Sequence, residues 1–272
     1  MSGPGARLVT FANLKLLGSF ASHFRELEVD PEWRSAVEQL TRERHGRMRT
    51  YAQRLARLYL SDFDANALTG MYRMQLLGQQ AWAQLLAGRA GGRLLDVGAG
   101  SGDVTRALAE HFDEVEVTEV SRGMAKRLRE HGFRCHELDL TDAPLDAPPF
   151  DAPPFDALTL LNVLDRCRKP RQLLKNCLRL LKPGGLFVVA LALPYRPFYF
   201  DGPATPDPLE RLECDSGPGG GWEDAARRFI ERDLLPQGLS LECFVRAPYL
   251  SAGDSERELY ELDDVVVVLS KR

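Results

Sequence analysis

The sequence predicts an α/β fold: a mostly parallel, seven-stranded sheet with helices on both faces and an antiparallel hairpin at its C-terminal end. Three observations carry this. Between residues 93 and 193 short apolar runs alternate with amphipathic helical stretches, the rhythm of strand–helix–strand crossovers. The first run, Leu94-Leu95-Asp96-Val97, stops at Gly98-Ala99-Gly100-Ser101-Gly102 and restarts as helix at Asp103, which sets a helix start over a small pocket. The last two apolar runs, 240–245 and 265–270, have no helix between them and therefore pair antiparallel at a sheet edge.

A chain of 272 residues suffices for one large α/β domain with an N-terminal extension. We place the extension at residues 1–58 and the α/β domain at 59–272. The net charge of −4 argues against general nucleic-acid binding. It is unevenly spread, because residues 1–60 hold ten Lys/Arg against six Asp/Glu, about +4, leaving about −8 for the rest. Five cysteines, Cys135, Cys167, Cys177, Cys214 and Cys243, are odd in number and far apart, so reduced thiols are expected. No window approaches ~18 uncharged apolar residues and no signal-like run opens the chain. A cytoplasmic protein that does not engage membranes, and a monomer, is the expectation.

Taken in order, residues 8–60 repeat apolar positions at three- and four-residue steps, as amphipathic helices do: Leu14, Leu17, Phe20 and Phe24, then Trp33, Val37 and Leu40. Asp30 is placed to cap a helix with Pro31 in its first turn, and 42–60 repeats the pattern. A further helix is predicted over 70–86. In the α/β part, strands are predicted at 93–97, 115–119, 134–138, 157–161 and 186–193. Helices are predicted at 103–110, at 121–130 with Ser121 as cap, and at 170–181. The pentapeptide Asp-Ala-Pro-Pro-Phe occurs twice in tandem over 146–155, and its prolines make it a surface loop. Residues 196–221, rich in Pro and Gly, form a connection long enough to border a substrate. A helix follows over 222–233, then the two closing strands.

The glycine turn alone leaves the ligand open, since dinucleotide-binding folds have similar turns. Three details favour S-adenosylmethionine. Asp96 lies in the strand before the glycines, where a carboxylate can face the ligand's amino-acid end. The spacing Gly98-x-Gly100-x-Gly102 lacks the small residue that a pyrophosphate needs three positions after the second glycine. The closing strand pair is also atypical of a dehydrogenase. Glu119, 23 residues after Asp96 at the end of the second strand, can accept from ribose hydroxyls. Asp139, after the third strand, is placed for an adenine amino group or for solvent. Asn162 and Asp165 follow the fourth strand, where ligands and catalytic groups collect, and both can face the pocket, Asn162 bordering the cofactor as well. Tyr249, read as lying in a strand-end loop after Pro248, is placed either to cover the core or to border the site. The histidines, His23, His45, His111, His131 and His136, have no ligand spacing, so no metal is expected.

These residues resemble the DREV-type methyltransferase-like family of S-adenosylmethionine-dependent protein-histidine N-methyltransferases. The resemblance runs from about residue 59 to the C-terminus. It rests on Leu-Asp-Val-Gly-Ala-Gly-Ser-Gly-Asp-Val-Thr at 95–105, Thr-Glu-Val-Ser at 118–121, Leu-Asn-Val-Leu-Asp-Arg-Cys at 161–167, Ala-Leu-Pro-Tyr-Arg-Pro at 192–197, Arg-Ala-Pro-Tyr-Leu at 246–250 and Leu-Asp-Asp-Val at 262–265. It implies a class I, Rossmann-like methyltransferase fold and methylation of a histidine ring nitrogen, typically N-pros, in proteins or peptides with His-x-His spacing. It further implies that Asn162, Asp165 and Tyr249 contact the target imidazole. The chain departs from better-known relatives in its arginine-rich N-terminal helices, its lack of a secretory signal and its tandem proline loop. A methyltransferase for a small molecule or another nitrogen, and a non-catalytic S-adenosylmethionine-binding partner protein, are the competing readings. A nucleotide-dependent dehydrogenase is the weakest.

Overall fold

The computed structural model describes residues 11–27, 31–42, 47–70, 73–142, 150, 154–215, 220–252 and 259–272. The N-terminal region contributes α1 (Leu14–Leu17), α2 (Pro31–Arg42), α3 (Arg47–Ala56) and α4 (Asp62–Thr69). Then come β1 (Met74–Gln75), α5 (Gln79–Leu86), β2 (Arg93–Val97), α6 (Asp103–Ala109), β3 (Glu114–Glu119), α7 (Arg122–Glu130) and β4 (Arg134–Glu137). The chain ends with β5 (Phe155–Leu161), α8 (Pro170–Leu180), β6 (Leu181–Leu193), α9 (Trp222–Arg228), β7 (Leu239–Ala252) and β8 (Leu259–Lys271).

The strands form one sheet in the order β1-β7-β8-β6-β5-β2-β3-β4. Strands β6, β5, β2, β3 and β4 run parallel, while β8 enters antiparallel between β6 and β7. From β2 the chain winds outward to β3 and β4, then returns to place β5 on the other side of β2. This reversal opens a crevice at the carboxyl ends of β2 and β5, where open α/β sheets bind ligands. The hairpin of β7 and β8 meets the expectation, and the sheet has an eighth strand because two residues of β1 pair with β7.

Alternation along the strands divides the core into two layers, as a sheet covered on both faces requires. Leu158, Leu160, Phe187, Val189, Val265 and Val267 pack on the side of α8 and α9. Val188, Ala190, Val266 and Val268 pack on the side of α5 and α6, against Trp82, Leu85 and Leu108. Phe244 ties the N-terminal region to this core. Its ring meets Phe24 edge-on at 5.4 Å, and its carbonyl accepts from Arg25 N at 2.9 Å.

Several boundaries differ from the sequence reading. The helix predicted over 70–86 is broken, because Gly70 takes a left-handed conformation that closes α4 by accepting no further turn, its N–H bonding back to Asn66 O. Strand β1 then fills the free edge of β7 before α5 begins. Ser121 caps α7 as expected, its hydroxyl accepting from Met124 N. The helix after Trp222 widens into a π-turn at Phe229–Leu234 that buries Asp233, whose two oxygens accept from Glu213 N at 2.9 and 3.0 Å. Both closing strands are far longer than predicted. The Asp30 cap and most of the tandem proline loop lie outside the described residues.

Phe244→Ala should cost about 3–5 kcal/mol, the range for deleting a buried aromatic. A urea melt checks this, with a midpoint that falls while the slope stays constant.

Candidate active site

The crevice is a cavity of about 730 Å³ lined from the ends of β2, β3 and β5, from α3 and α4, from the 198–201 segment and from β7. Asp96, Gly98, Gly100, Glu119, Asp139, Asn162, Asp165 and Tyr249 all line it. Eight of the nine residues singled out from the sequence therefore meet in one place.

The glycine turn is held by protein acceptors. Gly98 N and Ala99 N donate to Thr118 O at 3.0 Å each, Gly100 N to Glu119 Oε2 at 2.8 Å, and Gly102 N to Ala99 O at 2.9 Å. These four N–H groups are therefore not presented to an anion. A pyrophosphate would find few partners here, whereas a ligand without phosphate has no need of them. Gly98, Gly100 and Gly102 all have positive φ, of 73°, 56° and 80°. A Cβ on Gly98 would strike Val163 at 2.7 Å, and one on Gly100 would stand in open cavity. Gly102, by contrast, lies beneath Leu128 and Phe133 and does not line the cavity, so its role is packing at the start of α6.

Asp96 is buried and accepts from Thr105 Oγ1 and Thr159 Oγ1, both at 2.6 Å. It thus joins β2, β5 and α6 at the cavity floor. Burial raises its carboxyl above the ordinary value, against the two hydroxyl bonds that lower it. Glu119 accepts from Gly100 N and Ser121 N, each at 2.8 Å. Each of its oxygens retains lone-pair capacity for a ribose hydroxyl. Asp139 is exposed at the cavity wall, with Oδ1 accepting from Thr141 N at 2.7 Å.

The opposite end carries the groups suited to an acceptor. Asn162 terminates β5 with a φ of 56°, a conformation that Asn tolerates, and its N–H donates to Ala190 O at 3.0 Å. Its Nδ2 donates to Asp264 Oδ2 at 2.6 Å. Asp165 is buried with Oδ2 at 2.6 Å from Arg166 Nη1, and the Arg166 guanidinium lies 4.1 Å from the centre of the Phe198 ring. Desolvation pushes the Asp165 carboxyl up to about 6, against the pull of Arg166. Asn162 Oδ1 and Asp165 Oδ1 are buried without a hydrogen-bond partner. Tyr249 is buried inside β7, opposite Leu262, and not in the strand-end loop that its proline suggested. Its hydroxyl points at Met74 Sδ, and burial pushes its pKa up, so it stays neutral.

Several lining residues carried no sequence signal. Gln53 of α3 is 1% exposed, with Nε2 donating to Asn66 Oδ1 at 2.6 Å and Oε1 buried without a partner. Side chains on both sides of residue 58 thus line the same cavity. Phe63, Phe200 and Phe198 form an edge-to-face chain, at 4.9 and 5.4 Å, that crosses from α4 to the long connection after β6. Among the described residues no cluster of His, Cys, Asp and Glu could hold a metal ion, and no helix is long and apolar enough to cross a membrane.

A switch-point crevice, a glycine turn with its N–H groups spent internally, and a carboxylate ending the next strand define a class I, Rossmann-like methyltransferase. The chain belongs to the DREV methyltransferase family, whose model matches residues 12–271. It is 32% identical over 105 residues to ubiquinone biosynthesis O-methyltransferase of Xanthomonas oryzae pv. oryzae (strain PXO99A), covering 38% of this chain and 44% of that protein. It is 41% identical over 49 residues to ribosomal RNA small subunit methyltransferase A of Actinobacillus pleuropneumoniae serotype 5b (strain L20), covering 18% and 17%. The chain thus spans less than half the length of these curated relatives. Among solved structures it is similar to N-methyltransferase NodS from Bradyrhizobium japonicum WM9 in complex with S-adenosyl-l-homocysteine, with a TM-score of 0.45, 17% identity and coverage of 71% and 85%. Magnesium protoporphyrin IX methyltransferase from Synechocystis PCC 6803 with bound SAM gives a TM-score of 0.46 at 12% identity, covering 88% and 90%.

As a methyltransferase of this family the chain uses S-adenosylmethionine, and the cavity fits it. Gly100 leaves open space that a side chain would fill, and Glu119 lines the same cavity with lone-pair capacity that suits a ribose hydroxyl. Glu119→Ala should raise the dissociation constant for S-adenosylhomocysteine at least about tenfold, since one to two hydrogen bonds to a charged group are lost. Isothermal calorimetry checks this, and an unchanged constant would remove Glu119 from the cofactor site.

Proposed function

We propose that the chain transfers a methyl group from S-adenosylmethionine to an imidazole nitrogen, N-pros, of a histidine in a protein or peptide with His-x-His spacing. One observation supports this reading: Asp165 and Asn162 both line the cavity, and each has a side-chain oxygen, Oδ1, that is an acceptor buried without a hydrogen-bond partner. Two such oxygens call for a partner that brings N–H groups. A neutral imidazole brings one N–H, for Asp165, and a lone pair on its other nitrogen, while the peptide that carries it brings backbone N–H groups, for Asn162. The family membership adds to this, through the Leu-Asn-Val-Leu-Asp-Arg-Cys and Pro-Tyr-Leu blocks.

Bound S-adenosylmethionine supplies an electrophilic methyl group, and Glu119, Asp96, Asp139 and the turn around Gly98 and Gly100 would hold it. The protein's own residues prepare the acceptor. A histidine with a pKa near ~6.5 is mostly neutral at pH 7.5, so it needs little activation. It needs a fixed tautomer. Asp165, accepting from the far ring N–H, keeps that nitrogen protonated and leaves the other with its lone pair free. As the ring gains positive charge, the carboxylate stabilises it in a site screened from water, and Oδ1 can then take the ring proton. Arg166 holds the other carboxylate oxygen and fixes the side chain. Asn162 and Tyr249 border the ring and limit its orientation, from which most of the gain in such a transfer comes.

Incubation with labelled cofactor and short histidine peptides, followed by fragmentation mass spectrometry, tests the reading. Methyl on the ring of a His-x-His peptide supports it, and methyl on any other atom or on a small molecule alone rejects it. Asp165→Ala should lower kcat by about 10²–10⁴, the usual worth of a positioned acid–base group, and leave S-adenosylhomocysteine affinity within twofold. Activity should also fall with acid. Asp165 with a pKa of about 6 loses its charge as the pH drops through that value, and the acceptor ring protonates in the same window. The kcat/KM profile should therefore rise between about pH 5.5 and 7 and then level off.

A further inference from the structure

Behind Asn162 lies a carboxyl of the Leu-Asp-Asp-Val run at 262–265 that does not itself line the cavity and has so far been given no task. Asp264 sits in the middle of β8, between β6 and β7, with Ala192 and Ala247 as its cross-strand partners. It is 0% exposed. The next residues of the strand, Val265 to Leu269, are all apolar and buried, so stability alone would place a valine here. Its hydrogen-bond partner is Asn162 Nδ2 at 2.6 Å, and its Oδ1 is buried with none. A buried carboxyl so poorly satisfied costs stability, and its retention asks for a reason in the site.

We propose that Asp264 is a positioning residue: by accepting from Asn162 Nδ2 it fixes which end of that amide meets the acceptor, so that Oδ1 faces the cavity beside Asp165 Oδ1. An Asn amide can present a carbonyl or an NH2 group with almost the same shape. Only the first matches a substrate that arrives with an N–H. The hydrogen bond to Asp264 decides between them, because an oxygen behind the amide selects the NH2 group for itself. The left-handed backbone of Asn162, pinned by the bond to Ala190 O, prevents the side chain from relaxing elsewhere. The two alanines leave room for the carboxyl and keep its place free of bulk. Tyr249 is on the same strand two residues beyond Ala247 and faces the same side of the sheet, so the amide, both carboxyls and the phenol form one connected wall.

This inference rests on the reading of an N–H-bearing acceptor, and the experiment separates the two. The wild type is compared with Asp264→Asn, which keeps an oxygen for the Asn162 amide, and with Asp264→Val, which keeps the packing and removes the oxygen. Turnover is measured on a peptide with two histidines separated by one small residue, and S-adenosylhomocysteine affinity by calorimetry. The Asn162 side-chain amide is followed by ¹⁵N NMR in the S-adenosylhomocysteine-loaded protein. The expected order of kcat is Asp, then Asn within about threefold, then Val lower by at least tenfold, with cofactor affinity within twofold throughout. The Asn162 NH2 signal should be shifted downfield in the wild type, less so in Asp264→Asn, and lose the shift in Asp264→Val. The melting temperature of Asp264→Val should not fall at pH 8, because ionising this buried group disfavours the folded chain. If valine fails to fold, Asp264→Ala replaces it. Equal kcat in Val and wild type, or equal loss in Asn and Val, overturns the proposal. A wild type silent on every histidine peptide overturns the histidine reading only, and the amide signal then decides Asp264 alone.

Discussion

Two buried carboxyl groups, Asp165 and Asp264, lie close enough for the charge of the first to act on the second, and Arg166 pairs directly with Asp165. That imbalance orders the acceptor end of the cavity. Asp165 has a cation at one oxygen and keeps a value of about 6, so it is ionised at neutral pH. Asp264 has an amide and no cation at its oxygens, and its carboxyl is raised well above the ordinary range by burial and by its neighbour. Unlike environments thus shift two identical side chains by different causes, Asp165 with a cation beside it and Asp264 with an amide.

The sheet makes this possible. If β7 followed β6 in parallel order, the last strand would be an edge and its carboxyls would face water. Instead β8 returns antiparallel between β6 and β7, which carries Asp264 into the interior and sets it against the end of β5, where Asn162 turns. At the other end of the crevice, Asp96 links β2, β5 and α6 through two threonine hydroxyls, and Glu119 locks the glycine turn to α7. Both carboxylates serve the cavity's shape as well as its ligand.

Much of this was legible in the sequence, for a physical reason. Asp96, Glu119, Asn162 and Asp165 each end or interrupt an apolar run, and in a parallel sheet those positions converge on one edge. Tyr249 was placed correctly in space and wrongly in structure. Pro248 suggests a strand end, yet among the described residues β1 pairs with β7 only at Leu250 and Ser251, so no pairing there calls for the N–H the proline lacks. Gly102 reads as part of the ligand turn because its spacing matches, while its need is set by Leu128 of α7 and Phe133 of the turn after it, which no local pattern reports. Gln53 and Asp264 were beyond sequence reasoning. A polar residue on an amphipathic helix looks solvated until another helix covers it, and the Asp263-Asp264 pair, though part of the Leu-Asp-Asp-Val block, looks like the start of a strand with nothing local to say which carboxyl turns inward.

The central claim is that a buried carboxylate orients the acceptor through a ring N–H. Its most direct test compares two peptides that differ only in the acceptor: one with ordinary histidine, the other with histidine already methylated on the far, tele nitrogen, which retains the lone pair on the near nitrogen but has no N–H to give. The account predicts rapid methylation of the first and at least a hundredfold slower methylation of the second. Equal rates would contradict it, since Asp165 would then have nothing to hold.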